Sequence, residues 1–596
     1  MSATQNNELE QCMKTNNKKD LRKNSQPETN SRRRFLGSIA GAAAAAAASP
    51  FLSGKAGTAE AAGSSDAPGR MNDCFNYRRE AAIAGRVNVG PQSGNGDLAR
   101  YADFSGMYSK GLLHDALGIP NAGAAASLIR AFETNRHSDF NSIIVGTPGG
   151  GPNSKLNGPQ LALAFDLQGV DSHATVIPAA PTIASAQTAA EQVEHYWGSL
   201  LVDVPFADYD THPLVGAAVT DLNSMSFIAS AANKEFPYPV TRQNLFRGRF
   251  LTGDGNVKGP YVSQFMVQST YYGVQFLDQR YRTCLPEGGG GANYMTNPTE
   301  YQLIQNGGDS GRLLVHDPSP RYVRSGRDLT CYTNVDVLFQ GYFTAFLILA
   351  NIGAAPNPGN PYIGSNTQKP FATLGAPDAA ATLCEVATRA LKASWYHKWV
   401  KDLKMRPEEY GALVHARMTS ASPMPQAATE LHSDVLNSQA LARTFSKYGT
   451  YLLPQAFPEG SPTHPCYPTG HGTVGGACAT VLKFFFNGEQ KLRELFLASG
   501  TDFVEPAADG SSLNTYAGAD RDTIDINGEL NKLAWNVSVG HGIHSGIHFR
   551  SSTYWSILLG EQVALALLRD RAKSYNEPFS ISIKKFDGTS ATITNQ

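Results

Sequence analysis

Residues 461–486 read SPTHPCYPTGHGTVGGACATVLKFFF, with His464 and His471 seven positions apart in a run of Pro, Thr and Gly that leads straight into an apolar segment. Pro462, Pro465 and Pro468 stiffen the approach. Thr469 stands where a helix cap would stand, and Gly470-His471-Gly472 opens the helix. A helix start exposes unpaired N–H groups and carries partial positive charge. It therefore favours an anion, above all a tetrahedral oxyanion. Gly470 would let such an oxyanion approach the backbone closely, and the Thr469 hydroxyl adds a donor.

Two other segments carry complementary groups. In 395–409, WYHKWVKDLKMRPEE, Lys398 sits near the end of a long helical pattern and Arg406 immediately precedes Pro407. The proline biases residue 406 away from helical backbone. Lysine supplies a point charge and arginine a planar fork, which together suit a multiply charged oxyanion. In 536–550, NVSVGHGIHSGIHFR, His541, His544 and His548 recur at i, i+3 and i+7. This spacing predicts one helix face, and such a face also suits a divalent transition metal. Five of the fourteen histidines thus lie in residues 464–548.

The elements that must position these groups are mainly helical. Apolar residues recurring at three and four predict helices near 121–134, 184–203, 212–233, 335–352, 377–402, 433–447, 473–487, 489–498, 528–547 and 553–574. Val474, Ala477, Cys478, Val481, Leu482 and Phe485 form the expected buried stripe after His471. Long Gly/Pro/Asn loops at 144–160, 284–299 and 352–370 separate helices. Near the C-terminus, 581–583 and 591–593 flank Asp587-Gly588 and predict a β-hairpin. The fold class read from this pattern is mainly α: one helical domain, 99–596, or two bundles packed as one. Its active half is expected at about 335–575.

The ends and the composition set further bounds. Residues 31–37, SRRRFLG, lead into a Gly/Ala run, and Ala59-Glu60-Ala61 offers a small-residue cleavage site. Residues 1–61 therefore resemble a twin-arginine export signal, implying a periplasmic or extracellular protein. The Ala-rich run is weakly apolar and about the minimum length for spanning, so no stable membrane association is expected after cleavage. Residues 62–98, rich in Gly, Ser and Asn, read as an extended arm. Residues 62–596 carry 41 basic and 46 acidic side chains, a net of −5. No long basic face argues for nucleic acid. Six cysteines follow residue 61, and their fifteen possible pairings stay open.

The ordered triple Lys-x7-Arg-Pro, Pro-x-Gly-His and Gly-Ile-His resembles the vanadium-dependent haloperoxidases, and through them the type-2 acid phosphatase superfamily. The likeness is closest to the bromoperoxidases of red algae and their bacterial relatives. It extends to 360–363 (NPYI), 368–373 (QKPFAT), 527–533 (NGELNKL) and 558–561 (LLGE), and covers most of 70–596. The resemblance implies the helical-bundle fold of that superfamily and a vanadate cofactor. It implies that His548 bonds the vanadium, while Lys398, Arg406, Thr469 and the Gly470 N–H hold its oxygens. His471 would be the acid–base group, and His464 would handle halide or the peroxide proton. The implied reaction uses hydrogen peroxide to oxidise bromide or iodide to a hypohalous species, which halogenates a small organic acceptor. A dimer or larger homo-oligomer, with a structural calcium ion, is implied by the same resemblance. A phosphatase with His548 as nucleophile, and a relative that has lost its cofactor, remain as alternatives.

Three positions depart from the family pattern. Thr469 replaces a usual serine and keeps the hydroxyl. The family has Arg six residues before the vanadium histidine, where this chain has Gly542. That leaves the missing cation to Arg550, Arg521, or a protonated His541 or His544, and a space is expected at Gly542. The family commonly has Asp four residues after that histidine, where this chain has Ser552.

Overall fold

A computed structural model describes residues 67–86, 89–115, 118–151, 153–249 and 258–595. The expected export signal lies outside the described residues. The chain divides into two units, the second comprising residues 80–596.

The helices that matter here are α1 (Ala67–Ala84), α2 (Ala186–Leu200), α3 (Gly326–Asn334), α4 (Gln340–Asn351), α5 (Ala376–Trp395), α6 (Pro407–Met418), α7 (Gly470–Phe485), α8 (Ile526–Val539) and α9 (Arg550–Ala572). Among the described residues, three antiparallel strand pairs accompany them: β1–β2 (Thr270–Tyr272, Gln275–Leu277), β3–β4 (Val504–Pro506, Leu513–Thr515) and β5–β6 (Ser580–Lys584, Ser590–Thr594). The last pair is the expected hairpin, in register Ile581 to Ile593.

The expected extended arm needs correction. Residues 67–84 form α1, whereas 89–96 run without regular structure. The Gly/Ser/Asn bias lies in the flanks; residues 67–84 hold a single glycine, with four Ala and three Arg, which are good helix formers. The helix expected at 335–352 is also shorter. Residues 335–339 make a turn between α3 and α4, and this turn carries Asp336.

Helix α7 is the axis of the bundle, packing against α5, α8 and α9. All sixteen of its residues are buried, because its small and apolar side chains run around its whole circumference, as a central helix requires. Its one lysine, Lys483, donates to Asn531 Oδ1 at 2.7 Å. Glycines let α7 and α9 touch backbone to backbone. A Cβ on Gly476 would lie 1.9 Å from Ile557 O, and one on Gly560 would lie 1.9 Å from Thr473 O. This close crossing brings the N-terminal turn of α7 next to the entry of α9, where Thr469 N donates to Ser552 O at 3.2 Å.

Among the described residues no helix is long and apolar enough to cross a membrane. Cys284 and Cys331 form a disulfide. Cys74, Cys384, Cys466 and Cys478 are free.

Gly560→Ala should force α7 and α9 apart and destabilise the fold by about 1–3 kcal/mol or more, as overpacking does. Equilibrium denaturation checks this; an unchanged midpoint would show that the crossing has slack.

Candidate active site

Lys398 lies on a π-helical turn, Tyr396–Asp402, which continues α5 and ends at Leu403 in left-handed conformation. Such wide turns recur at functional sites. This one carries Lys398 into the bundle, where its Nζ donates to Pro465 O at 2.7 Å and Cys466 O at 3.1 Å. Trp395 lies beside it, its ring 5.6 Å from the ammonium.

Arg406 has the extended backbone expected before Pro407, with φ −81° and ψ 157°. Its guanidinium donates to His464 O at 2.8 Å, Ile547 O at 3.1 Å and Pro462 O at 3.3 Å. It also reaches two imidazoles, His464 Nδ1 at 2.8 Å and His548 Nε2 at 3.0 Å. Both Lys398 and Arg406 are wholly buried. Among the described residues neither is paired with a carboxylate.

Two buried cations facing only neutral acceptors dictate the electrostatics of the site. Burial, reinforced by Arg406, pushes the Lys398 ammonium well below its usual range. Burial and then the same two cations hold His548 and His464 well below the usual imidazole range, so both rings are neutral. A neutral His548 that accepts from Arg406 at Nε2 carries its proton on Nδ1, a tautomer assigned from the network. That nitrogen lies 3.3 Å from Ser552 Oγ, which in turn donates to Cys466 O at 2.9 Å. Ser552 thus orients the ring in the absence of a carboxylate.

Thr469 caps α7 with φ −75° and ψ 138°, but its hydroxyl makes no capping bond. Oγ1 is buried without a partner, which is uncommon for a buried hydroxyl and calls for an explanation. Two residues on, His471 Nε2 hydrogen-bonds to Asp336 Oδ1 at 2.9 Å. Asp336 was not read from the sequence. Its signal was an isolated carboxylate in an apolar run, Val335-Asp336-Val337-Leu338-Phe339. The imidazoles converge: the His464 and His548 rings are 6.3 Å apart.

The expected face of His541, His544 and His548 does not form. Helix α8 ends at Val539, and a second π-helical turn, Gly540–His544, breaks the helical register. His544 turns into an aromatic cluster, 5.0 Å from Phe246 and 6.0 Å from Phe206. His541 lies against His471, ring centroids 3.9 Å apart, and 5.8 Å from His548. Among the described residues, the group with metal-ligand proximity is instead Cys284, His316 and Cys331, and the disulfide already joins its two cysteines. Arg550 is committed elsewhere, donating from Nε to Glu194 Oε2 at 2.9 Å and stacking on Phe236 and Trp535. Arg521 lies on a turn at 521–523 and donates to Tyr516 O. The space expected at Gly542 is filled: a Cβ there would meet Thr553 Oγ1 at 3.1 Å and His548 O at 3.3 Å.

One layer out, Glu408 and Glu409 fix the backbone that presents Arg406. Glu409 Oε2 accepts from Arg406 N at 2.6 Å, and Glu409 Oε1 accepts from Ser109 N at 2.8 Å. Burial lifts the Glu409 carboxyl to about 7. Glu408 pairs with Lys110 at 2.8 Å, both fully buried, and accepts from Ser461 N at 2.8 Å. The pair thereby ties the Pro-rich approach to α6.

These features define a helical protein with a buried, cationic oxyanion cradle ringed by imidazoles. No family model matches the chain. The vanadium-dependent bromoperoxidase of Ascophyllum nodosum is 31% identical over 539 residues, covering 86% of this chain and 92% of that protein. That of Corallina pilulifera is 28% identical over 607 residues, covering 88% and 98%. The homohexameric structure of the second vanadate-dependent bromoperoxidase of Ascophyllum nodosum superposes with a TM-score of 0.77 at 28% identity, covering 91% and 94%. The chain belongs to the vanadium-dependent haloperoxidase family.

Glu408→Gln should leave Lys110 buried and unpaired and cost about 3–5 kcal/mol, read as a lowered denaturation midpoint. Stability should also fall with acid. Burial holds His195, His397 and His544 near 3 and His114 near 4, against an ordinary value of 6.5. The unfolded chain binds these protons and the native state does not, so the stability present above pH 6.5 drains away between about 6.5 and 3. A flat midpoint across that window would contradict this assignment.

Proposed function

We propose that the protein is a vanadate-dependent haloperoxidase that uses hydrogen peroxide to oxidise bromide or iodide to a hypohalous species. The observation that carries this reading is the convergence of two buried, unpaired cations with neutral His548, Asp336-bound His471 and the partnerless Thr469 hydroxyl. A buried positive charge without a counterion is costly, and an oxyanion in the cradle supplies the counter-charge. The donor set fits vanadate: Lys398 and Arg406 for charge, Thr469 Oγ1 and the Gly470 N–H at the helix start, and the His548 lone pair as ligand.

Bound vanadate would act as a Lewis acid that activates peroxide without changing oxidation state. The chain's residues do the rest. Arg406 donates to His548 Nε2, the nitrogen whose lone pair would be the ligand, so this bond would give way to the bound anion, while the Ser552 hydroxyl fixes the other side of the ring. Asp336 orients His471 through its bond to Nε2. An imidazole suits this transfer because its ordinary pKa lies near neutrality. His464, kept neutral by burial and the two cations, holds the Arg406 fork in place with Nδ1. Nδ1 accepts from Arg406, so the ring proton sits on Nε2; Nε2 makes no hydrogen bond among the described residues and can donate to peroxide or halide. The relatives named above support the same chemistry. The hexameric neighbour supports a homo-oligomer, and the twin-arginine-like leader supports export.

Vanadate-loaded wild type should brominate or iodinate a phenol indicator only when peroxide is present. His548→Ala should lose vanadate binding and halogenation together. His471→Ala should bind vanadate but lose roughly 10²–10⁴-fold in rate, the usual scale for a general acid–base group. Phosphate-ester turnover without peroxide, combined with no halide oxidation, would overturn the assignment in favour of a hydrolase.

A further inference from the structure

The π-helical turn at 540–544 changes which residue before His548 reaches the cradle. Gly542, six residues ahead, directs its Cβ position at Thr553 Oγ1 and the His548 carbonyl. His541, seven residues ahead, lies against His471 with ring centroids 3.9 Å apart and planes tilted by 31°, and is 5.8 Å from the His548 ring. It is more than nine-tenths buried, at 9% exposure. Its Nδ1 is buried without a partner, and Nε2 makes no hydrogen bond among the described residues. A buried ring nitrogen without a partner forfeits a hydrogen bond it would make in water, and such a group calls for a partner. Every other ring around the cradle has one: Arg406 for His464 and His548, Asp336 for His471.

We propose that His541 is a further oxyanion-holding residue, donating a ring N–H to the bound vanadate from the place its wide turn gives it between His471 and His548. The wide turn accommodates one more residue than an α-helical turn would. That extra residue brings the imidazole to the cradle and moves Gly542 off it. Such a donor is a directional hydrogen bond to an anion that Lys398 and Arg406 already attract by charge. It also packs one face of His471, so it restricts the acid–base ring as well as holding the anion. This inference rests on the vanadate reading above.

Binding of orthovanadate and of inorganic phosphate to the full-length apo protein, by equilibrium dialysis and by ligand-dependent shift of the unfolding temperature, tests it. His541→Ala should bind both anions at least about tenfold more weakly. His541→Gln, which keeps an N–H donor, should recover most of that loss, and a purely structural role would not be rescued by so different a shape. Gly542→Arg should not tighten binding, because its side chain starts toward the His548 carbonyl. Wild-type affinity in His541→Ala, or tighter binding in Gly542→Arg, overturns the role of His541 while leaving the vanadate reading intact. Failure of wild type to bind either anion overturns both.

Discussion

Lys398 and Arg406 are charges removed from water and, among the described residues, left without a carboxylate partner, and the rest of the site follows from that. A buried ion normally survives only when paired or fully hydrogen-bonded. Here the neighbours are carbonyl oxygens at the Pro-rich approach and before His548, plus two imidazoles that the cations themselves keep neutral. The arrangement satisfies geometry without neutralising charge. It leaves a positive centre that selects for an anion, with the lone pair of His548 turned toward Arg406.

Keeping such charges in place requires a scaffold that does not relax around them. Helix α7 is buried on every side, and its glycines lock it against α9. The start of one helix and the entry to the other therefore stand at a fixed separation. Glu409 clamps the backbone of Arg406, and Glu408 with Lys110 clamps the approach at Ser461. The paired charges lie in the outer layer and the unpaired ones in the inner layer. This division lets the protein stay folded while its centre remains electrostatically incomplete.

Much of this was legible in the sequence, for physical reasons. Pro407 announced the extended backbone of Arg406, the Pro-rich run announced the entry to α7, and sparse charge in long apolar-periodic stretches announced a helical bundle. Arg406, His464 and His548 share one hydrogen-bonded cluster, with Lys398 on the adjoining carbonyls and His471 beside it through His541. Asp336 stayed hidden because it lies 135 positions from His471 and sits in a turn that periodicity read as helix. The His541, His544 and His548 face was misread because i, i+3, i+7 counting assumes an unbroken α-helix. A π-helical turn has no residue signature of its own, and this one lies packed against α3 and α2.

The same wide turn bears on how such a pocket can diversify. A single added residue is absorbed as a local swelling of one helical coil, with α8 upstream and α9 downstream each presented as a regular helix. The amino acid exposed to the interior is exchanged for its neighbour while the walls stand still. Counting along the chain at constant intervals misses that exchange, and a ligand shell can be rewritten without any of its surviving members being replaced.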